Sequence, residues 1–258
     1  MPVRSERPLV ALALGGGGAR GFAHVGVIKA LEAAGVVPDI VVGSSSGAIV
    51  AALYASGLSG IELERIAVDL DQSALIDFSL FGKGWVKGEA LQSFINDLVG
   101  NRPIEQLLRP FAVVVTHAKS GKMVVFNHGD TGLAVRASSA VPDVFIPPVI
   151  HGAEYLDGGL TSPVPVRVAK AMGADFVIAV DLTRYARSRD LAEVDLREAD
   201  VIIRPETVRT RLLDFTAKLQ NIAAGEAAAQ SMSARIGEMI TDRTRRKATR
   251  SGHAAPAS

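Results

Sequence analysis

Two short runs carry the groups that could do acyl-transfer chemistry. In Gly43-Ser44-Ser45-Ser46-Gly47 a central serine has a glycine two positions away on each side. That is the pattern of a tight strand-to-helix turn that presents a hydroxyl as a nucleophile. One helix length upstream, the stretch from Gly15 through Gly16, Gly17, Gly18, Ala19 and Arg20 to Gly21 offers a row of unhindered backbone N–H groups at a helix N-terminus. Such a row suits the stabilisation of an oxyanion. Nucleophile and oxyanion cradle would then come from neighbouring units of one sheet.

The elements needed to position them are legible around both runs. Apolar Val10 to Leu14 precedes the glycines, and Phe22, Val25, Ile28 and Leu31 recur at steps of three between Gly21 and Ala34, with Gly35 as a stop. This predicts a strand followed by an amphipathic helix. Ile40-Val41-Val42 predicts the strand before the serine, and Ala48 to Tyr54 the helix after it, with Gly57 as its C-terminal cap. Gly16-x-Gly18-x-x-Gly21 also fits a dinucleotide fingerprint, which requires an acidic residue at the end of the second strand. Asp39 stands at the start of that strand, the wrong end to meet a ribose.

Ser45 needs a group to take its proton, ordinarily a histidine oriented by an acid. After residue 151 only His253 remains, in a tail that reads as disordered from Ser251 onwards, so the standard Ser, Asp, His order fails. His24, His117, His128 and His151 fall on a helix, a strand end and two loops, and each has an ordinary structural or surface reading. A carboxylate is the other choice. Asp157 in Tyr155-Leu156-Asp157-Gly158-Gly159 is followed by two glycines that let the backbone turn sharply into a crowded site. In isolation Asp-Gly-Gly is mostly a turn. As a base, Asp157 would need burial to raise its pKa from about 3.9.

Further strands are expected at 111–116, 122–126, 176–180 and 201–203, and Ser162-Pro163 is expected to cap a helix lined by Val166, Ala169 and Met172 and closed by Gly173. Alternating strands and helices imply an α/β fold with a mostly parallel sheet covered on both faces. Of 258 residues, 48% are hydrophobic and 21% charged, and 28 basic against 27 acidic residues leave a formal charge of +1. No field of the whole molecule attracts nucleic acid. The absence of Cys excludes disulfides, thiolate metal sites and a cysteine nucleophile. Arg4 and Arg7 ahead of an apolar run faintly resemble a secretory signal, but that run is better used as the first strand, and no segment is long enough to span a membrane.

Two stretches break the rhythm. Asp77 to Gly88, with Phe78, Leu80, Phe81 and Trp85 among Gly82, Gly84 and Gly88, reads either as a lipid-facing lid or as a loop pinned by aromatics. From Thr207, apolar residues at helical spacing predict one or two amphipathic helices ending in the basic run Arg243, Arg245, Arg246, Lys247 and Arg250. That helix either packs on the domain or presents a surface for anionic lipid or a second subunit. The division expected is residues 1–206 as the hydrolase domain and 207–258 as a helical extension with a basic tail.

In their order, Gly16-Gly17-Gly18-Ala19-Arg20-Gly21, Gly43-Ser44-Ser45-Ser46-Gly47 and Asp157-Gly158-Gly159 resemble the motifs of the patatin-like phospholipases, in their bacterial branch. The similarity runs from about Leu9 to Val180 and includes Ala137-Ser138-Ser139-Ala140-Val141-Pro142. The resemblance implies a three-layer α/β/α fold and a Ser-Asp dyad, with Ser45 as nucleophile and Asp157 as base. It also implies an oxyanion hole from the amides of Gly16, Gly17 and Gly18, with Arg20 in the place of the basic residue that follows them. Gly21, Gly43, Gly47, Gly158 and Gly159 complete the motifs. The activity implied is hydrolysis of phospholipid, lysophospholipid or similar acyl esters without metal or cofactor. The expected setting is the cytoplasm, with peripheral contact at a membrane. A thioesterase or soluble-ester hydrolase with the same dyad is an alternative, and a nucleotide-binding module another.

Overall fold

The computed structural model describes residues 7–77, 86–186 and 188–252. Of the stretch Asp77 to Gly88, read as a lid or a pinned loop, residues 78–85 lie outside the described residues, as does His253. Elements follow in the order β1 (Val10–Leu14), α1 (Ala23–Ala33), β2 (Ile40–Ser44), α2 (Ser46–Ala55), α3 (Gly60–Asp69), α4 (Glu89–Leu98), β3 (Phe111–His117), β4 (Met123–Phe126), α5 (Thr131–Ser138), β5 (Val149–Ile150), β6 (Ala153–Asp157), α6 (Val166–Ala171), β7 (Phe176–Val180), α7 (Arg189–Leu196), β8 (Val201–Ile203) and α8 (Lys218–Gly252).

The central sheet is parallel through β3, β2, β1, β7 and β8. Its strands are buried on both faces, which is why they read as continuous apolar runs. The pleat divides them between two cores. Val10, Leu12 and Leu14 face a layer containing α1, α2 and α8. Ala11 and Ala13 face the layer of α6 and α7, with Val166, Val168, Ala192 and Leu196. This is the expected three-layer α/β/α arrangement.

One pairing decides where Ser45 and Asp157 sit. Val113 and Val114 of β3 pair with β2 and also with β4, so those two strands lie on opposite edges of β3. Val115 and Thr116 pair with β4 and with β6, so β6 also lies opposite β4. Strands β2 and β6 therefore share one edge of β3, end to end and running in opposite directions. Ser44, the last residue of β2, is level with Val114, and Asp157, the last of β6, is level with Val115. Ser45, which follows Ser44, and Asp157, 112 positions apart in the chain, are thereby brought together.

Two local expectations are corrected. Ser162 does not cap a helix: its hydroxyl donates to Asp195 Oδ2 at 2.6 Å, and α6 begins only after Pro165. The C-terminal region forms a single long helix, and Ser251 and Gly252, expected in a disordered tail, are its last residues. Two residues of its basic run are engaged by the domain. Arg243 pairs with Asp200 and donates to the Asp175 carbonyl, and Lys247 reaches Asp175 at 2.8 Å.

Helix α8 crosses α1 in close contact through a reciprocal pair of glycines. A Cβ on Gly26 would lie 1.9 Å from the Ile222 carbonyl oxygen, and one on Gly225 would lie 1.9 Å from that of Ala23. Alanine at 225 would favour the helix by about 1 kcal/mol, but backbone atoms cannot yield, and overpacking of this kind costs about 1–3 kcal/mol. Gly225→Ala is expected to lower the urea midpoint. Gly237→Ala on the same helix, where nothing lies within 4 Å, is expected to raise it.

Candidate active site

Strand β2 delivers Ser45 directly into α2, and Ser45 takes φ 53° and ψ −128°. A non-glycine residue held there is strained, which is the mark of a nucleophile elbow. The flanking glycines follow from close approach. A Cβ on Gly43 would lie 2.4 Å from Ala48 Cα, and one on Gly47 would lie 2.2 Å from the Leu14 carbonyl oxygen.

Across the junction with β6, the Ser45 hydroxyl donates to Asp157 Oδ2 at 2.6 Å, and both residues are buried. The other carboxylate oxygen, Oδ1, accepts the Gly159 N–H at 2.7 Å. Gly158 allows this turn, because a Cβ there would lie 2.1 Å from the Val114 carbonyl oxygen. Burial pushes the Asp157 carboxyl up to about 6, against the opposing hydrogen bonds from Ser45 and Gly159. The elbow is held from behind by Ser138, whose hydroxyl accepts the Ser45 N–H at 2.9 Å and donates to the Val114 carbonyl at 2.7 Å. Ser138 lies in the Ala137 to Pro142 segment, but its bond to Ser45 spans 93 positions and had no local signal.

None of the four histidines among the described residues hydrogen-bonds Ser45 or Asp157. His24 is fully buried, and its Nε2–H donates to the Gly15 carbonyl at 2.7 Å. Burial lowers its pKa to about 4, so it is neutral and tethers the start of the glycine loop. His117 bonds Ser120, His128 bonds Asn127, and His151 occupies a turn at φ 49°.

The glycine loop lies against the serine: a Cβ on Gly16 would be 3.1 Å from Ser45 Cβ and 3.8 Å from its Oγ. Its amides are not an open row. Gly16 N–H donates to the Pro163 carbonyl at 2.9 Å and Gly17 N–H to the Ser46 hydroxyl at 3.0 Å. Among the described residues Gly18 N–H has no acceptor. Arg20 is buried, its Nε donates to the Gly17 carbonyl at 3.0 Å, and its guanidinium lies 5.5 Å from the Tyr185 ring. Gly21 leaves room for Ser46, whose Cβ would be 2.6 Å from a Cβ added there.

Ser45 opens onto a cleft of about 730 Å³, counting its mouth. Its walls are almost wholly apolar, with Phe22, Ile49, Leu75, Leu91 and Phe145 on several elements and Leu212, Leu213 and Phe215 from the segment before α8. That segment is tied to the loop, since Ala19 N–H donates to the Leu212 carbonyl at 2.8 Å. No helix among the described residues is long and apolar enough to cross a membrane.

Comparison with known proteins places the fold and the family. A Mycobacterium bovis protein named as an uncharacterised NTE family protein is 40% identical over 181 residues, 69% of this chain and 50% of its own length. Human patatin-like phospholipase domain-containing protein 6 is 35% identical over 182 residues, 67% of this chain and 13% of its own. The chain thus spans about half the length, or less, of these curated relatives. Among solved structures, VipD from Legionella pneumophila superposes with a TM-score of 0.64 at 14% identity, over 90% of this chain and 67% of that one. Human GIVD cytosolic phospholipase A2 gives a TM-score of 0.56 at 10% identity, over 93% and 63%. The family model described as patatin-like phospholipase matches residues 12–170, and on that match the chain belongs to the patatin-like phospholipase family.

Proposed function

We propose that this chain is a serine acyl hydrolase that cleaves the fatty-acyl esters of phospholipids or lysophospholipids. The observation that carries the reading is the 2.6 Å bond from Ser45 to a buried Asp157 at the foot of an apolar cleft. The carboxylate accepts the serine proton as Ser45 Oγ attacks the ester carbonyl, and the glycine loop stabilises the oxyanion through Gly18 N–H, which has no acceptor among the described residues. Asp157, now protonated, gives its proton to the departing alcohol and leaves an acyl-enzyme. The restored carboxylate then takes a proton from water, which releases the fatty acid and the free serine. No histidine is needed, because burial has already brought the carboxyl to about 6, close to the working range of a general base.

The same reading assigns the cleft to the acyl chain, and residues 207–258 to an extension that closes it through Leu212, Leu213 and Phe215. The substrate then reaches the site from the cytoplasmic face of a lipid surface. A module that grips nucleotide phosphates is disfavoured, since two of the three central glycine amides already have protein acceptors and such a cradle needs them free.

The test is fluorophosphonate labelling with mapping of the modified peptide, with and without anionic vesicles. Stoichiometric adduct on Ser45 is expected, and its absence under both conditions would overturn the reading. Chain-length dependence supplies a second expectation. Ile49 sits one helical turn from Ser45 on α2 and lines the cleft. Each buried CH₂ contributes about 0.8 kcal/mol, so denying room to a few of them should lower kcat/KM about 10- to 100-fold. Ile49→Trp is expected to show that loss on long-chain acyl esters and little change on acetate esters, measured as a chain-length profile.

A further inference from the structure

An oxyanion in an acyl-transfer site is held by more than one hydrogen-bond donor, and the glycine loop as built does not supply them alone. Gly16 N–H is engaged by Pro163 and Gly17 N–H by Ser46, which leaves Gly18 N–H. The acceptor of the Gly17 bond is itself a hydroxyl. Its own proton has no acceptor among the described residues, and Ser46 lines the same cleft as Ser45 and Gly18. Its position is also tightly set. Ser46 is the first residue of α2, Gly17 binds its oxygen from one side, and Gly21 packs against its Cβ.

We propose that the Ser46 hydroxyl is a catalytic hydrogen-bond donor to the oxyanion, acting with Gly18 N–H. By accepting from Gly17 N–H, the oxygen is polarised and becomes a better donor through its own proton, as in any chain of hydrogen bonds. Gly17 then acts through Ser46 rather than on the substrate. No bond is broken in this role: the Ser46 proton stays on its oxygen while charge builds on the carbonyl oxygen and disperses again. The inference rests on the hydrolase reading above and adds a residue to it.

The two readings of Ser46 predict opposite results. If it only blocks Gly17, removing it frees that N–H for the oxyanion, and activity holds or rises. If it is the donor, Ser46→Ala should lower kcat about 10²- to 10³-fold, the range typical of a lost oxyanion donor. The assay uses a long-chain nitrophenyl ester with the full chain. The expected pattern is a lower kcat with KM within about twofold, as for an interaction made only in the transition state. Inhibition by a long-chain trifluoromethyl ketone, which forms a tetrahedral adduct with Ser45, should weaken by the same factor. Inhibition by the fatty-acid product and the thermal midpoint should stay unchanged.

Retained or increased kcat in Ser46→Ala would overturn the proposal. So would a parallel shift of kcat, KM, product inhibition and thermal midpoint, which marks a packing role. Wild-type labelling on Ser45 is the internal control. With adduct present, a failure concerns Ser46 alone; with no adduct and no turnover, the hydrolase reading falls and takes this inference with it.

Discussion

Ser45→Ala is expected to abolish ester turnover and phosphonate labelling, with a loss of about 10⁴-fold or more, the scale seen when the nucleophile of a hydrolytic unit is removed. No neighbour can replace it. The Ser44 hydroxyl is buried without a hydrogen-bond partner, and it points to Gly158, where an added Cβ would lie 2.9 Å from it. Ser46 holds Gly17. The fold should survive, because alanine at φ 53° is strained to about the same degree as serine. The stability change is then confined to one lost hydrogen bond to a charged group, about 1.5–3 kcal/mol. Circular dichroism and a thermal scan beside the kinetic assay separate the two effects. Activity retained by a pure, folded variant would move the nucleophile elsewhere.

Asp157→Asn should lower kcat by about 10³- to 10⁴-fold, near the upper end of what general-base catalysis contributes. Asparagine keeps the shape but cannot take the serine proton. The wild-type pH profile should carry the same assignment. The reactive form is the carboxylate, so kcat/KM is expected to rise with pH, to pass half its plateau at about 6, and to be lost as pH falls below that. In Asp157→Asn this limb should vanish from the residual rate. A profile in wild type that is flat between pH 5 and 8 would rule out Asp157 as the base.

Stability should move the other way. The folded pKa lies above the ordinary 3.8, so the fold resists ionisation of this group. The group favours the fold fully below about pH 3.8, and that contribution is lost as pH rises through about 6. A shift of about two units corresponds to about 3 kcal/mol of penalty above pH 6. Asp157→Asn removes the buried charge, and at pH 8 its urea midpoint should equal or exceed that of the wild type. On the proposed role, function at this position works against stability, as expected for a base kept out of water.

Much of the framework was legible because it is encoded locally. Strands at 176–180 and 201–203 match β7 and β8, since buried parallel strands are apolar on both faces and end at turn residues. The serine turn was legible because its glycines are required by contacts within a few residues of the turn. Strand β6 was not, because Glu154 is exposed and Tyr155 and Leu156 only partly buried, so no clean alternation marks it. The capping reading of Ser162-Pro163 failed because a buried carboxylate 33 positions away competes for the hydroxyl. The open row of glycine amides failed for the same kind of reason, since Pro163 and Ser46 are brought to the loop by the sheet and by α2.

By itself the sequence determined the alternating α/β order and the tight turn at Ser45, and it marked Ser45 and Asp157 as the candidates for the chemistry. These depend on hydrophobic period and on glycine, both short-range. Only the tertiary structure decided that β2 and β6 meet end to end on one edge of β3, which sets Ser45 against Asp157. It alone decided which amides remain free, and how far burial raises the Asp157 carboxyl. Those are properties of desolvation and of contacts between distant segments, and no local pattern carries them.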